Sequence, residues 1–582
     1  MSYQWNIAES IQENFLQGVH PSVLVRQVLW NRGLRTDEEA RRFLKPDYHR
    51  DLHDPFLFRD MEKAVARILK AIEGKERIVI HGDYDADGVC ASAILATTLE
   101  FLGGSPRVHL PHRMRDGYGL QTRTVESLAG EGTNVLIAVD CGIANADAIS
   151  YAASRHIDTI VVDHHRAPET LPAAHAIIHC DIPGEPYPFR KLSAGGVVFK
   201  LAQAILRTAR FKSLHLSERN VEAFEKWLLD LVAISTVADV MPLVGENRTL
   251  VHYGLQVLSR SRRRGLSALM RNAGLLKSAE GFNGNGRSLS ARDIAFGIAP
   301  RLNAAGRIEH ASLAYDLLRA EEETQVEGLV QQLERVNQNR QQATEKMFAE
   351  AVVQIERMDD APLIVVAKDD WSVGLVGLLA GKLADEYARP VFAIGGMNGG
   401  WTGSCRAVPG FDCIAALADI ASHLAHWGGH TDAAGFTLSE GVTPEAFREM
   451  IMAATSLRAF VPQGHAMDID AVATLEEVDE QAVEALEAFA PFGEENPVPL
   501  LLTTRCRVSE VSLVGKEGNH VKCTVVNEQG SARRAIAFGH ADEEIQVLQE
   551  GALVDVVYEP KINVWKGNSA VELYIKDCRL SE

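Results

Sequence analysis

Three short, uninterrupted apolar runs constrain the fold of this chain more than anything else in it: Ile78-Val79-Ile80, Val135-Leu136-Ile137-Ala138-Val139 and Ile160-Val161-Val162. A strand with water on one face alternates apolar and polar residues. A run that is apolar throughout needs cover on both faces, as in a parallel sheet layered between helices. Helical stretches separate the three runs, so a βαβ pattern is expected from Arg77 to about Asp239. Each run ends in metal-ligating residue types. The first leads into His81-Gly82-Asp83-Tyr84-Asp85-Ala86-Asp87-Gly88, the second into Asp140-Cys141-Gly142, and the third into Asp163-His164-His165. A further apolar segment, LVAISTVADVMPL, carries Asp239.

Parallel sheets bind their ligands beyond the carboxyl ends of the strands, so these acids and imidazoles are expected to converge on one edge. Carboxylates packed together repel one another and take up protons unless cations neutralise them. A mixed Asp/His set dominated by oxygen suits two divalent cations, Mn²⁺ or Mg²⁺, and the imidazoles tilt the choice toward Mn²⁺. Two such ions, about 3.5–4 Å apart, suit phosphoryl hydrolysis. A lone Asp at a strand end is commonly a helix cap or a turn residue, and for Asp83 that reading leads: it is expected to brace the loop. The coincidence at three strand ends is what points to a metal site.

The chain has 582 residues, too many for one core. Residues 1–50 read as a helical lead-in, 51–255 as the first α/β domain, and 256–358 as a helical connector that includes a long linking helix. Residues 359–460 read as a second α/β domain and 461–582 as a small, antiparallel β-barrel of the OB type. The eight cysteines form no CxxC pair, which argues against a zinc ribbon or a disulfide framework. No apolar run is long enough to cross a membrane, and no secretory leader is apparent. The formal net charge of −19 argues against nucleic-acid binding by the surface as a whole, but leaves room for a local basic groove.

HGDYDADG, VDCG, DHH and STVADVMPL, in this order, resemble the four successive motifs of the DHH phosphoesterase superfamily. Ala299-Pro300-Arg301-Leu302-Asn303-Ala304-Ala305-Gly306-Arg307 resembles a signature of its RecJ-type members. GSCRAVPGF and GGHTDAAG are similar to the companion DHHA1 domain, and APFGEENP, VGKEGNHVK and KINVWKGN to the RecJ-type barrel. The resemblance implies a 5′→3′ exonuclease acting on single-stranded DNA in recombination and repair. His81, Asp85 and Asp140 would hold one metal ion, and Asp87, Asp140, His164 and Asp239 the other. His165 would donate to an oxygen of the scissile phosphate, with Asp140 and His164 as its catalytic neighbours.

By the same resemblance, Arg113, Ser404 and Arg406 would bind the 5′ phosphate, and a guanidinium fork does match phosphate geometry. Arg301, Asn303 and Arg307 would line the path of the strand, with helix packing and capping as the competing account. His430 would close the site from the second domain. Lys522, Arg534 and Trp565, with His520, Arg533, Lys561 and Lys566, mix basic and aromatic groups as a single-strand groove does, although Trp565 equally suits a hairpin or core position. The family further implies a RecQ-type helicase and single-strand-binding protein as partners, no membrane, and a cytoplasmic monomer. Two other readings stay open: a related hydrolase of short oligonucleotides, cyclic dinucleotides or pyrophosphate, and a non-catalytic strand-binding factor. The barrel argues against the first, and the complete set of acids against the second.

Overall fold

The computed structural model describes residues 3–12, 14–113, 115–212, 217–276, 288–358, 361–397, 399–454, 460, 464–515, 518–539, 546–565 and 568–581. A first strand, β1 (Gln4–Ile7), precedes the first sheet. That sheet is built from β2 (Ile78–His81), β3 (Arg107–His109), β4 (Val135–Val139), β5 (Asp158–Val162) and β6 (Ala176–Ile178), ordered β3-β2-β4-β5-β6 and parallel throughout. The apolar runs sort by the two-residue period of a strand. Val79, Leu136, Val161 and Ile177 join the apolar cluster on one face, while Ile78, Ile80, Ile137, Ile160 and Ile178 join the larger cluster on the other. Helix Ala86–Phe101, buried on nearly all sides, packs on that second face against helices Ala194–Lys212 and Leu229–Ala238.

The helix Glu323–Ile355 runs for 33 residues and leads from the first α/β unit to the second. The second sheet contains β7 (Ile364–Lys368), β8 (Val391–Met397), β9 (Gly400–Arg406), β10 (Leu424–Gly429) and β11 (Ala433–Leu438), ordered β10-β11-β9-β8-β7; only the β7–β8 pair is parallel. Cys405 on β9 and Cys413 are joined as a disulfide with their Cα atoms 6.2 Å apart. Cysteine spacing alone gave no sign of this, because the pair meets across a turn. Cys413 is held there by its N–H donating to the Thr431 carbonyl.

After β12 (Ala466–Ile469) and β13 (Ala471–Val472), strands β14 (Leu501–Val514), β15 (His520–Val526), β16 (Ala532–Phe538), β17 (Leu553–Trp565) and β18 (Asn568–Leu580) close into a barrel through a β14–β17 pairing. The sequence suggested an antiparallel barrel; β16 and β18 instead run parallel, because the chain crosses over β17 before returning. The lead-in at the N-terminus belongs to this end of the molecule. β1 pairs with β12, and Leu24, Val25, Val28 and Leu29 of helix Val23–Asn31 complete the barrel's apolar core. Among the described residues, no helix is long and apolar enough to cross a membrane.

Candidate active site

The loop after β2 and the start of helix Ala86–Phe101 form the floor of the site. Asp85 caps this helix, its Oδ1 accepting the N–H groups of Asp87 and Gly88 at 3.0 and 3.1 Å. The turn is tight: a Cβ at Gly88 would lie 2.6 Å from the backbone nitrogen of Asp83. Asp87 is fixed by a second helix end. Its carboxylate accepts the N–H groups of Ala194 and Gly195 at 2.9 Å each and the hydroxyl of Ser235 at 2.5 Å. Asp140, at the end of β4, holds a left-handed φ of +61°, a conformation that costs energy outside glycine and that concentrates at functional sites.

Three overlapping groups of donor atoms result, and within each the atoms lie within 4.8 Å of one another: Asp83, Asp85 and Asp140; Asp87, His164 and Asp239; and Asp140, His164 and His165. Asp140 is therefore common to the first and third groups, and His164 to the second and third. Asp83, read from sequence as a brace for its loop, supplies a carboxylate to the first group. His81 lies apart from all three. Its Nδ1 meets Nδ1 of His109 at 3.1 Å, and burial with the neighbouring His109 lowers its pKa to about 3, so the ring is neutral. Asp239 stands at the end of a helix rather than a strand, as the C-cap of Leu229–Ala238.

The electrostatics are those of a cation site. Burial and then mutual repulsion push Asp83 and Asp140 well above the carboxylate range; Asp85 is raised for the same reasons, and Asp239 is raised to about 9. Burial lowers the pKa of His164. Its Nε2 stands 3.2 Å from Asp140 Oδ1 and 3.6 Å from both Asp87 Oδ2 and Asp239 Oδ2. Asp83 Oδ1, Asp140 Oδ1 and His164 Nε2 are buried with no hydrogen-bond partner, as is Nε2 of His81. Buried polar atoms are normally satisfied, and lone pairs that converge without protons fit divalent cations, with oxygen and imidazole donors matching Mn²⁺ or Mg²⁺.

His165 occupies the mouth of the site. Its Nδ1 donates to Asp163 Oδ1 at 2.8 Å. Burial alone would lower its pKa, but the Asp163 carboxylate overrides this and holds it at about 9. Asp163 also accepts the N–H groups of Ile143 and His164, and the His165 contact keeps its carboxyl below the ordinary range despite burial. Sequence reading placed Asp163 at the converging strand ends without a role of its own, and missed three groups that shape the site: Tyr118, Ser235 and the backbone of Ala194-Gly195. The only available signal for these was the paired glycines at a helix start.

A cavity of about 250 Å³ opens here, lined by Asp83, Tyr84, Asp85, Arg113, Tyr118 and His165 on one side and by Asn303, Gly306 and Arg307 on the other. Arg113 lies over the Tyr84 ring, 5.0 Å from its centroid. Arg307, whose pKa burial and the nearby Arg113 lower to about 10, donates to the Gly374 carbonyl at 3.4 Å. Asn303 faces the first domain's backbone, its Oδ1 accepting the N–H of Ala86 at 2.7 Å. Arg301 instead pairs with Glu334 of the long helix at 2.7 Å, as the packing account expects, and lines a separate cleft against the barrel.

Ser404 and Arg406 lie on β9, with the Ser404 hydroxyl donating to the Ala434 carbonyl at 3.3 Å. His430 lies in the turn between β10 and β11, and none of the three lines this cavity. Lys522 and Arg534 project outward from adjacent barrel strands. Trp565 pairs with Asn568 through its backbone, while its side chain and Lys566 lie outside the described residues.

A parallel-sheet domain with this acid and imidazole cluster, a second α/β domain and a terminal barrel defines a DHH-type phosphoesterase architecture. Family models match in the same order: the DHH family N-terminal domain over residues 77–236, the DHHA1 domain over 360–457, and the RecJ OB domain over 469–577. The single-stranded-DNA-specific exonuclease RecJ of Bacillus subtilis is 34% identical over 588 residues, covering 100% of this chain and 71% of the relative. Crystal structures of RecJ from Thermus thermophilus superpose over 100% of the chain. The Mn²⁺ complex does so with a TM-score of 0.82, 27% identity and 80% of that chain covered. The Mg²⁺ complex gives 0.76, 26% and 79%. The chain belongs to the RecJ family of single-stranded-DNA-specific exonucleases.

Proposed function

We infer that this chain is a metal-dependent exonuclease that hydrolyses phosphodiester bonds in single-stranded DNA. The observation that carries the reading is the set of buried, unpartnered donor atoms of Asp83, Asp140 and His164 within overlapping carboxylate and imidazole groups, opening onto a cavity faced by Arg113 and Arg307. Asp85 and Asp140, with Asp83, would hold one divalent cation; Asp87, Asp140, His164 and Asp239 would hold the other, and His81 stands behind the first. When bound, the two cations supply an activated water and neutralise charge on the phosphate oxygens.

The remaining roles fall to the chain itself. Arg113 and Arg307 attract and orient the terminal phosphate of the strand. His165, held by Asp163, donates to an oxygen of the phosphate being cut. Asn303 holds the first turn of helix Ala86–Phe101, and with it Asp85 and Asp87. We place Ser404, Arg406 and His430 against the 5′ end, and the outward basic residues Lys522 and Arg534, with Trp565, along the strand beyond it; a basic, aromatic-bearing barrel surface suits single strands. In this reading cleavage proceeds 5′→3′ and yields mononucleotides during recombination and repair. The enzyme works as a cytoplasmic monomer with a RecQ-type helicase and a single-strand-binding protein.

The test uses single strands labelled at the 5′ or the 3′ end, with Mn²⁺, Mg²⁺ or a chelator. The 5′ label is expected to appear first as mononucleotide, only with metal. Early release of the 3′ label overturns the polarity, and cleavage in chelator overturns the metal site.

A further inference from the structure

Tyr118 lies in the wall of the active-site cavity, on a loop whose geometry leaves it little freedom. Gly117 and Gly119 on either side both hold φ at +77°, a left-handed value that other residues rarely adopt. The loop is tied to the one that follows Asp140. Asn145 Oδ1 accepts the N–H of Leu120 at 3.1 Å, and a Cβ on Gly119 would lie 2.8 Å from that same oxygen. Gln121 donates to the Tyr118 carbonyl at 2.8 Å.

The side chain is 46% exposed, yet its hydroxyl turns away from water and into the site. It stands 2.9 Å from His165 Nε2 and 3.1 Å from Nδ1, and approaches the Asp140 carbonyl at 3.5 Å. His165 is thus gripped from both sides, by Asp163 and by Tyr118. An imidazole held at one nitrogen can still swing about that contact, whereas two contacts fix the plane of the ring. At these near-equal distances the hydroxyl rests against the ring between its two nitrogens, off the in-plane axis of either, so it holds the ring and leaves Nε2 to donate to the phosphate.

We propose that Tyr118 is a positioning residue, which clamps His165 against Asp163 so that its ring faces the phosphate to be cut. The inference rests on the nuclease reading above and adds to it a residue that acts only through His165. It predicts a dependence that general damage to the loop does not produce.

The experiment compares the parent chain with Tyr118→Phe, His165→Ala and the double variant, measuring kcat, KM and the Mn²⁺ concentration for half-maximal hydrolysis of single-stranded DNA. Tyr118→Phe keeps the ring and removes only the hydroxyl, and a matching melting curve checks the fold. The expected result is a fall in kcat of about tenfold to a hundredfold, the range of a polar contact to a charged group. KM and the Mn²⁺ requirement stay within about twofold, and the substitution adds nothing once His165 is alanine. Equal losses in the parent and His165→Ala backgrounds, an unchanged kcat, or a shift confined to KM overturns the positioning role while leaving the nuclease reading intact. A parent chain that cleaves nothing in any metal overturns both.

Discussion

Asn303 Oδ1 accepts the backbone N–H of Ala86 at 2.7 Å, a bond spanning 217 positions of sequence. It joins the helix Ala299–Ile308 to the turn that presents Asp85 and Asp87. Close packing reinforces it, since a Cβ at Gly306 would lie 2.2 Å from the Tyr84 carbonyl. Asn303 therefore acts as a support for the metal-binding loop. Replacing it with alanine is expected to lower stability by about 1 kcal/mol. It should reduce kcat while leaving KM for single strands nearly unchanged; a rise in KM alone returns Asn303 to direct contact with the strand. Steady-state kinetics and thermal melting separate the two.

Asp140 is shared by two of the donor groups, so its loss damages both. Asp140→Ala is expected to reduce hydrolysis by about a thousandfold or more, several kcal/mol of transition-state stabilisation. Binding of a single strand, followed by fluorescence anisotropy in the presence of metal, should change by less than about threefold.

Arg113 faces the cavity with no ion-pair partner among the described residues. A strand with a 5′ phosphate is expected to be cut with higher kcat/KM than the same strand with a 5′ hydroxyl. The contribution of Arg113, about tenfold from a charge-assisted hydrogen bond, should be lost in Arg113→Ala, which narrows the preference. Competition between the two strands in one reaction measures it directly.

The acid cluster makes the stability of the metal-free protein depend on pH. In the folded state Asp239 is raised to about 9, above the ordinary aspartate value, by burial and by Asp87 and Asp85. A group raised on folding takes up its proton more readily in the native state, so its stabilising effect is full in acid and disappears as pH rises from about 4 towards 9. In chelator, the melting temperature should therefore fall across that window. Added Mn²⁺ should restore it, and by more at pH 8 than at pH 6, because binding to the native state alone stabilises it and needs ionised ligands. Scanning calorimetry with and without metal tests the slope.

Much of this site could be read from sequence because the fold signal and the chemistry are neighbours in the chain. An apolar run such as Val135–Val139 specifies a buried strand, and the next residue, Asp140, is already at the sheet's edge. Asp239 was harder. Leu229–Ala238 is buried along most of its length and mostly apolar, so its sequence shows no helical period and reads as readily as a strand. The roles of Asp163 and Tyr118 depend on where His165 points, and Arg301 could not be separated from its neighbours until Glu334, 33 residues away, was placed beside it. Asp83 shows the opposite difficulty: local rules favour a turn residue, and only the approach of Asp140 draws it into the cluster.

The pairing of β1 with β12 carries a consequence for how the protein is made. Gln4–Ile7 and the apolar face of helix Val23–Asn31 emerge from the ribosome well before their partners, which begin only at Ala466. At ordinary rates of synthesis they wait on the order of a minute, with Leu24, Val25, Val28 and Leu29 uncovered, while both α/β domains fold between them. These residues, made well before their partners, are thus among the last to reach their place, and the barrel is sealed by a segment far upstream of it in the chain.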